Sequence, residues 1–504
     1  MGSDWTYLCV NRDMDSISVV NPVSGAVLHE LKPYSASDVA FEFVEAKKLQ
    51  PAWDQLGARA RAKIAAKYAD LVIQNQERLM DQLQLETGKS RSHAFEEITG
   101  GVAAISYYAK VSPGLLRRKK VRAGVPLMLS AYVEPAPVGV VGIITPWNYP
   151  LALTLMDVLP ALLAGNAVVQ KADNQTSKTV LALRDLAVQA GIPEGIWRVV
   201  YGDPAEVGNA VTDNADYVAF TGSTPTGKLV AERAAKRLIG YSLELGGKNP
   251  MIVMPGADLE KAAEIAIGSA FGNAGQLCVS IERLYVPNHA IKEFEQVLKR
   301  RVESLTLGTS NEFKFDLGAL TSKTQVERVD GFIQRAVAEG ARVVTGGKPA
   351  TEIGPTFYPP TVLADLPMGA EILHKEVFGP VIALVRYNSL DEAVELANAT
   401  EFGLNAAIVG DPKAALKLAS RLMAGSVNIN EGYRATMASM AAPMGGMKQS
   451  GMGRRSGPGG LLRFTETRTI GVANRLPIGL PNRAKDFKKM APLMTMLAKV
   501  MGKI

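Results

Sequence analysis

The chain has 504 residues, 47% hydrophobic and 21% charged, with 56 Lys+Arg against 49 Asp+Glu for a formal charge of +7. This is a globular composition long enough for two or three domains, and with no basic-aromatic motif beside it the small positive excess makes no case for nucleic acid. Two cysteines exclude a disulfide framework or a cysteine-rich metal site, and the opening Met1-Gly2-Ser3-Asp4-Trp5-Thr6 lacks the basic and apolar regions of a secretory signal, so a reducing cytoplasm is expected.

Those six residues also match the loose M-G-x-x-x-S/T acylation pattern, which is too short to carry an assignment. Residues 15–30 read as strands and turns around Asn21-Pro22 and Ser24-Gly25. Residues 36–114 read as helices, with Ser37 a candidate N-cap and Val39, Phe43, Ala46 and Leu49 at three-to-four spacing. Glu86-Thr87-Gly88-Lys89 ends one of them with a glycine stop. Alternation from 121 to 141 predicts a hairpin of 128–134 with 138–141.

Residues 138–170 are mostly apolar, with Asp157 the only charge, but Pro146, Asn148, Pro150 and Pro160 interrupt them. This suits a buried strand (138–144), a loop, a helix and a second buried strand (167–170), which is a βαβ unit and not a membrane span. A third strand, 217–221, runs into Gly222-Ser223-Thr224-Pro225-Thr226-Gly227 and a helix over 228–238. Such a turn aims backbone N–H groups at an anion such as a dinucleotide pyrophosphate. The spacing is not G-x-G-x-x-G, however, and a plain strand-to-helix turn explains it as well.

Next, Leu243-Glu244-Leu245-Gly246-Gly247-Lys248-Asn249-Pro250 sets a carboxylate between leucines. Apolar surroundings raise a carboxyl pKa toward that of a neutral-pH base, while a surface glutamate near a turn is the alternative. From 251 the alternation restarts with strands at 251–254, 283–286, 343–344, 381–385 and 406–409, and it includes a helix over 291–305, so a second doubly wound domain is expected. Within it Phe271-Gly272-Asn273-Ala274-Gly275-Gln276-Leu277-Cys278-Val279-Ser280 follows a small-residue helix pattern and puts two glycines before a cysteine. Taken alone, that cysteine could be a small buried hydrophobe. His29, His93, His289 and His374 show no paired spacing, so neither a zinc site nor a Cys-His hydrolase is supported. Residues 483–504 form a basic amphipathic tail that Pro492 is expected to split into two short helices, packed on an oligomer or, alternatively, lying on a membrane.

Five segments resemble the signature segments of the aldehyde dehydrogenase superfamily, in its order and at its spacings, over about residues 15 to 475. They are Pro146-Trp147-Asn148-Tyr149-Pro150, Phe220-Thr221-Gly222-Ser223, Glu244-Leu245-Gly246-Gly247-Lys248, Gly275-Gln276-Leu277-Cys278 and Glu376-Val377-Phe378-Gly379-Pro380. The resemblance implies an α/β fold with a Rossmann-like cofactor domain (1–118 and 138–246), an α/β catalytic domain (247–445) and a small β oligomerisation arm (119–137 and 460–478), leaving 479–504 as the tail. The arm implies a homodimer or homotetramer, and the loop 443–451 resembles the one that returns to the cofactor domain.

By the same resemblance Cys278 is the nucleophile, the Asn148 amide and the Cys278 N–H hold the oxyanion, and Glu244 activates water against the thioester. Lys171 and Glu376 would hold the riboses, Phe378 the nicotinamide and Ser223 the pyrophosphate. Trp147, Gly222, Gly227 and Leu245 fall in the same cofactor-binding segments, and no metal is implied. Neutral Asn174 stands where members preferring NAD place a glutamate, so NADP is expected to be preferred over NAD, tempered by Asp173 next door.

Asn428-Ile429-Asn430-Glu431-Gly432 and the 443–451 loop look most like the succinate-semialdehyde dehydrogenase branch, which implies succinate as product. That branch's two carboxylate-clamping arginines correspond here to Met156 and Gly272, which leaves an uncharged aliphatic or aromatic aldehyde as the alternative. Arg434 is the candidate replacement anchor, against a plain solvent-facing arginine. A catalytically silent binding protein on the same fold is the reading from another class, and the joint presence of Cys278, Glu244 and Asn148 argues against it.

Overall fold

The computed structural model describes residues 16–123, 129–473 and 483–501, so Cys9, the N-terminal hexapeptide and Met128 lie outside the described residues. The first helix, Ala36–Gln55, is capped by Ser35 and not by Ser37. The Ser35 hydroxyl accepts the Asp38 N–H at 3.2 Å while the Asp38 carboxylate accepts the Ser35 N–H at 2.8 Å. This reciprocal box needs an acid three residues after the cap, and Ser37 has none there. Gly88, at φ 73°, ends the helix Gln76–Thr87 as its glycine suggested.

The strand Val140–Ile144 is apolar and buried at every position, which suits the middle of a parallel sheet. It sits there, in a six-stranded sheet ordered 451–452, 240–244, 217–221, 140–144, 167–171 and 197–200, parallel except for the first pair. The chain runs outward from 140–144 on one side and returns to its other side with 217–221, so the crevice between these two strand ends is a topological switch point. The expected hairpin of 128–134 with 138–141 therefore does not form. The half-buried strand Leu129–Pro137 pairs instead with Thr465–Ala473 and Lys119–Val121 in a separate three-stranded sheet. Alternation marks a strand but carries no address for its partner.

A seven-stranded sheet, ordered 342–345, 361–364, 381–387, 281–287, 249–253, 405–409 and 426–429, forms the second unit. Its strands bury both faces: Met251 and Val253 enter one hydrophobic cluster while Ile252 enters the cluster on the opposite side. The tail forms one helix, Ala484–Met501, running through Pro492 and not two. Proline removes a single backbone bond, and the Lys, Met, Ala and Leu residues around it favour helix enough to bridge the gap. Among the described residues no helix is long and apolar enough to cross a membrane.

Candidate active site

The two strands at the switch point deliver the first candidate residues. Pro146, Trp147 and Asn148 follow Val140–Ile144 and lead into the helix Pro150–Leu163. Gly222 and Ser223 follow Tyr217–Thr221, and the next helix, Thr224–Lys236, starts four residues earlier than its sequence pattern suggests. Pro225 sits in the first turn, where its missing N–H costs nothing, and Ser223 is the N-cap, its hydroxyl accepting the Thr226 N–H at 3.4 Å. Gly227 thus lies inside the helix, where a Cβ would come within 2.5 Å of Leu245.

A cavity of about 210 Å³ opens beside this helix start, lined by Trp147, Gly222, Ser223, Leu245, Glu376 and Phe378, with Asn148, Glu244 and Cys278 also in its wall. Lys171 and Asn174 lie at the neighbouring strand end, outside that lining. Burial lowers the Lys171 pKa against the pull of Asp173 and Asp203. Asn174 spends its amide on Gly202, donating to its carbonyl at 3.0 Å and accepting its N–H at 2.9 Å, so it offers neutrality there and no free hydrogen bond of that pair.

A second cavity, about 380 Å³, runs to the other side of the thiol between Ala152, Leu153, Met156, Leu277, Met437 and Met440, and its wall also includes Glu96, Tyr433 and Arg434. Both cavities are lined by Asn148, Leu153 and Cys278. The cysteine therefore stands at the junction of an apolar tunnel and a crevice of mixed lining that is the more polar of the two.

The segment before the cysteine is tightly bent. Asn273 and Ala274 are left-handed at φ 51° and 53°, and Gly275 follows at φ 74°, where a Cβ would lie 2.0 Å from the Gly379 oxygen. Such backbone costs energy and persists only where its surroundings hold it. Asn273 Nδ2 donates to the Asn148 carbonyl at 3.1 Å, and the Gln276 amide both donates to the Asn273 carbonyl at 3.1 Å and accepts the Thr321 N–H at 3.0 Å. Asn249 Nδ2 holds the Cys278 carbonyl at 2.8 Å. Asn148 Nδ2 donates to the Gln276 carbonyl at 3.0 Å, leaving its second hydrogen for another acceptor.

Burial first, and then the Glu376 and Glu244 charges, push the Cys278 thiol up to about 12. Burial raises Glu244 to about 7, and neither of its carboxylate oxygens has a hydrogen-bond partner among the described residues. A buried carboxyl without a partner is costly, and a pKa near neutrality is what a proton acceptor needs. Glu376 is also raised to about 7, by burial and then by Glu282, and it accepts the Gly247 N–H at 2.9 Å.

Several residues of the site gave no sequence signal. Lys89, which marked only the end of a helix beside its glycine stop, is buried in an ion pair with Glu97 and donates to the Asn148 carbonyl at 2.9 Å. Glu97 in turn accepts the Leu151 and Ala152 N–H groups at the start of the helix after Asn148. The Lys248–Glu282 pair, with Glu282 accepting the Val377 and Phe378 N–H groups, holds Phe378 in its left-handed turn. Asp157 was visible as the lone charge in an apolar run, and such a charge demands a partner. It has two, Arg455 and Arg463.

Arg434 reaches the tunnel mouth as expected, but it is neither a free anchor nor simply solvent-facing. Its Nε and Nη2 donate to the Glu96 carboxylate at 2.8 and 3.3 Å and its Nη1 to the Gly268 carbonyl at 3.0 Å. Met156 lies buried against Ala104 and Met440, and Gly272 faces the Tyr433 hydroxyl, so neither position supplies a charge.

The Aldehyde dehydrogenase family profile matches residues 9–470. A protein of Mycobacterium ulcerans named "Putative succinate-semialdehyde dehydrogenase [NADP(+)] 2" is 45% identical over 95% of this chain and 93% of its own length. The succinate-semialdehyde dehydrogenase [NADP(+)] of Escherichia coli is 36% identical over 90% of this chain and 93% of its own. The NAD+ complex of an aldehyde dehydrogenase from Bacillus cereus superposes with a TM-score of 0.87 at 33% identity, covering 91% of this chain and 94% of that one.

Proposed function

Since the chain belongs to the aldehyde dehydrogenase family, an oxidoreductase family acting on aldehydes with NAD(P), we propose that Cys278, Asn148 and Glu244 carry its reaction. The observation behind this is that Cys278 and Asn148 line both cavities while Glu244, with no hydrogen-bond partner among the described residues, shares the wall of the crevice with them. The Cys278 sulfur attacks the aldehyde carbon, and Glu244, with its pKa near 7, accepts the proton of a thiol too basic to ionise alone. The second Asn148 Nδ2 hydrogen and the Cys278 N–H stabilise the oxyanion of the thiohemiacetal. NAD(P), when bound, supplies the hydride acceptor that takes this adduct to the thioester. Glu244 gives up that first proton to solvent and then removes a proton from water attacking the thioester; the carbon–sulfur bond breaks, the acid leaves, and the departing Cys278 thiolate takes the second proton back from Glu244.

The crevice fits the coenzyme. The helix capped by Ser223 presents N–H groups to it, Glu376 keeps Oε2 clear of the Gly247 bond, and Gly246 leaves Glu376 room, since a Cβ there would lie 2.7 Å from that oxygen. Ser223 would meet the pyrophosphate, Lys171 and Glu376 the riboses, and Phe378, whose ring packs edge-on to Trp147 at 5.6 Å, the nicotinamide. Neutral Asn174 and the NADP named for the relatives support NADP over NAD. Titration by coenzyme fluorescence is expected to give the tighter Kd for NADP, and a many-fold tighter NAD refutes the preference.

The substrate we propose is succinate semialdehyde, supported by the names of both relatives, with Arg434 in the tunnel wall as the cation to meet its distal carboxylate. A second reading, an uncharged aliphatic or aromatic aldehyde, is favoured by the apolar tunnel wall and by the pairing of Arg434 with Glu96 and Arg455 with Asp157. Wild-type kcat/KM for succinate semialdehyde against pentanal decides between them: the first reading stands if the semialdehyde is preferred and falls if pentanal is. We further assign residues 1–118 and 138–246 to coenzyme binding, 247–445 to catalysis, and the strands of 119–137 and 460–478 to an arm that joins a homodimer or homotetramer. The need for a reduced thiol accords with a cytoplasmic setting.

A further inference from the structure

We infer that Glu96 is a specificity-determining residue that sets the charge preference of the tunnel mouth. The inference rests on the tunnel leading to Cys278, and it deepens that reading by naming the group that decides between anionic and neutral aldehydes. Every cation in the tunnel wall is matched: Arg455 is held by Asp157, and Arg434 lies against Glu96, with Glu431 3.9 Å from its other side. Deeper in, Glu97 is matched by Lys89. The mouth therefore presents a guanidinium whose field is largely cancelled at the place where a substrate's far end would rest.

The geometry makes Glu96 the adjustable member of this set. Its Oε1 accepts both Arg434 Nε at 2.8 Å and the Tyr433 hydroxyl at 3.0 Å, while its Oε2 takes Arg434 Nη2 at 3.3 Å. Arg434 is also fixed from two further directions, by the Gly268 carbonyl at 3.0 Å and by the Tyr433 ring 4.7 Å from its guanidinium carbon. A glutamine at 96 can keep the two bonds to Oε1, and its amide NH2 has no use for Nη2. The guanidinium would then stay in place with Nη2 freed and its charge uncancelled.

The test uses three aldehydes of one carbon length, namely succinate semialdehyde, butanal and 4-aminobutanal. Glu96→Gln is expected to raise the kcat/KM ratio of succinate semialdehyde to butanal about tenfold, the order expected when a like charge one guanidinium away is removed at a half-exposed site. The change is carried by KM, it shrinks at high salt, and the 4-aminobutanal ratio moves the opposite way. Arg434→Met is expected to lower the semialdehyde ratio. Equal factors for all three aldehydes in Glu96→Gln, or a semialdehyde ratio that fails to rise, overturns the role of Glu96. Wild-type preference for butanal, in contrast, refutes only the succinate semialdehyde reading, since the ratio in the variant is read independently of it.

Discussion

At the scale of single residues, the site stores its reactivity in groups that would be more stable elsewhere. Cys278→Ala is expected to abolish aldehyde oxidation and leave coenzyme Kd unchanged, because the sulfur supplies chemistry and little packing; substantial remaining turnover removes Cys278 from its role. Glu244 makes a pH-dependent contribution of known sign. Its folded pKa, about 7, lies above the ordinary 4.5, so it is a base only above about pH 7, and kcat should rise through that pH and level off. Glu244→Gln should slow deacylation, so that a thioester accumulates after one turnover, visible by mass spectrometry. The same raised pKa lowers folding stability as pH climbs from about 4.5 to about 7, by at most about 3.5 kcal/mol at ~1.4 kcal/mol per unit. Glu244→Gln is therefore expected to have a higher Tm than the parent at pH 8 and little difference at pH 4, and an unchanged Tm at pH 8 contradicts the burial cost.

At the scale of elements, the proposed site is built from two loops held against each other by buried side chains. Lys89 and Asn273 both donate to the Asn148 carbonyl, while Glu97 caps the helix that begins at Pro150. Lys89→Met should leave Glu97 charged and buried, costing about 3–5 kcal/mol, and should let Asn148 drift from the oxyanion. The double variant Lys89→Met with Glu97→Gln separates the two effects. It is expected to regain most of the Tm while kcat stays roughly tenfold or more below the parent with coenzyme Kd unchanged. If kcat recovers together with Tm, Lys89 serves stability alone.

At the scale of the whole molecule, the strand Thr465–Ala473 supplies the long antiparallel partner of Leu129–Pro137, and much of this three-stranded sheet stays exposed. An exposed sheet of this kind needs a cover. If the protein assembles through this sheet as proposed, a chain ending at residue 464 should be smaller than the full chain by light scattering, and an unchanged mass would remove the sheet from assembly. Some of this architecture was already legible along the chain. The strands expected over 138–144, 167–170 and 217–221 form over 140–144, 167–171 and 217–221, because a fully buried parallel strand is a continuous apolar run. Cys278, Glu244, Asn148, Glu376 and Phe378 were legible because each lies in a short segment whose residue types and order carry the signal.

Other features depended on segments distant in sequence. The hairpin expected of 128–134 finds its partner at the far end of the chain, since alternation specifies which face a residue takes and not which strand lies beside it. The helix after Ser223 begins early because Pro225 reads equally as a turn residue and as a first-turn helix residue, and only the Ser223 cap decides between them. Arg434 was placed correctly at the tunnel mouth, but its partner is Glu96, on a helix packed there by the fold. By itself, then, the sequence determined the two doubly wound sheets and the family segments that hold the proposed nucleophile, base and coenzyme residues, because these follow from local periodicity and from motifs a few residues long. Only the tertiary structure decided that two cavities meet at Cys278, that Lys89 and Asn273 hold Asn148, and that the arginine at the mouth is already paired. Each of these is a contact between distant segments, and an ion pair's partner is chosen by the packing that brings two charges within reach.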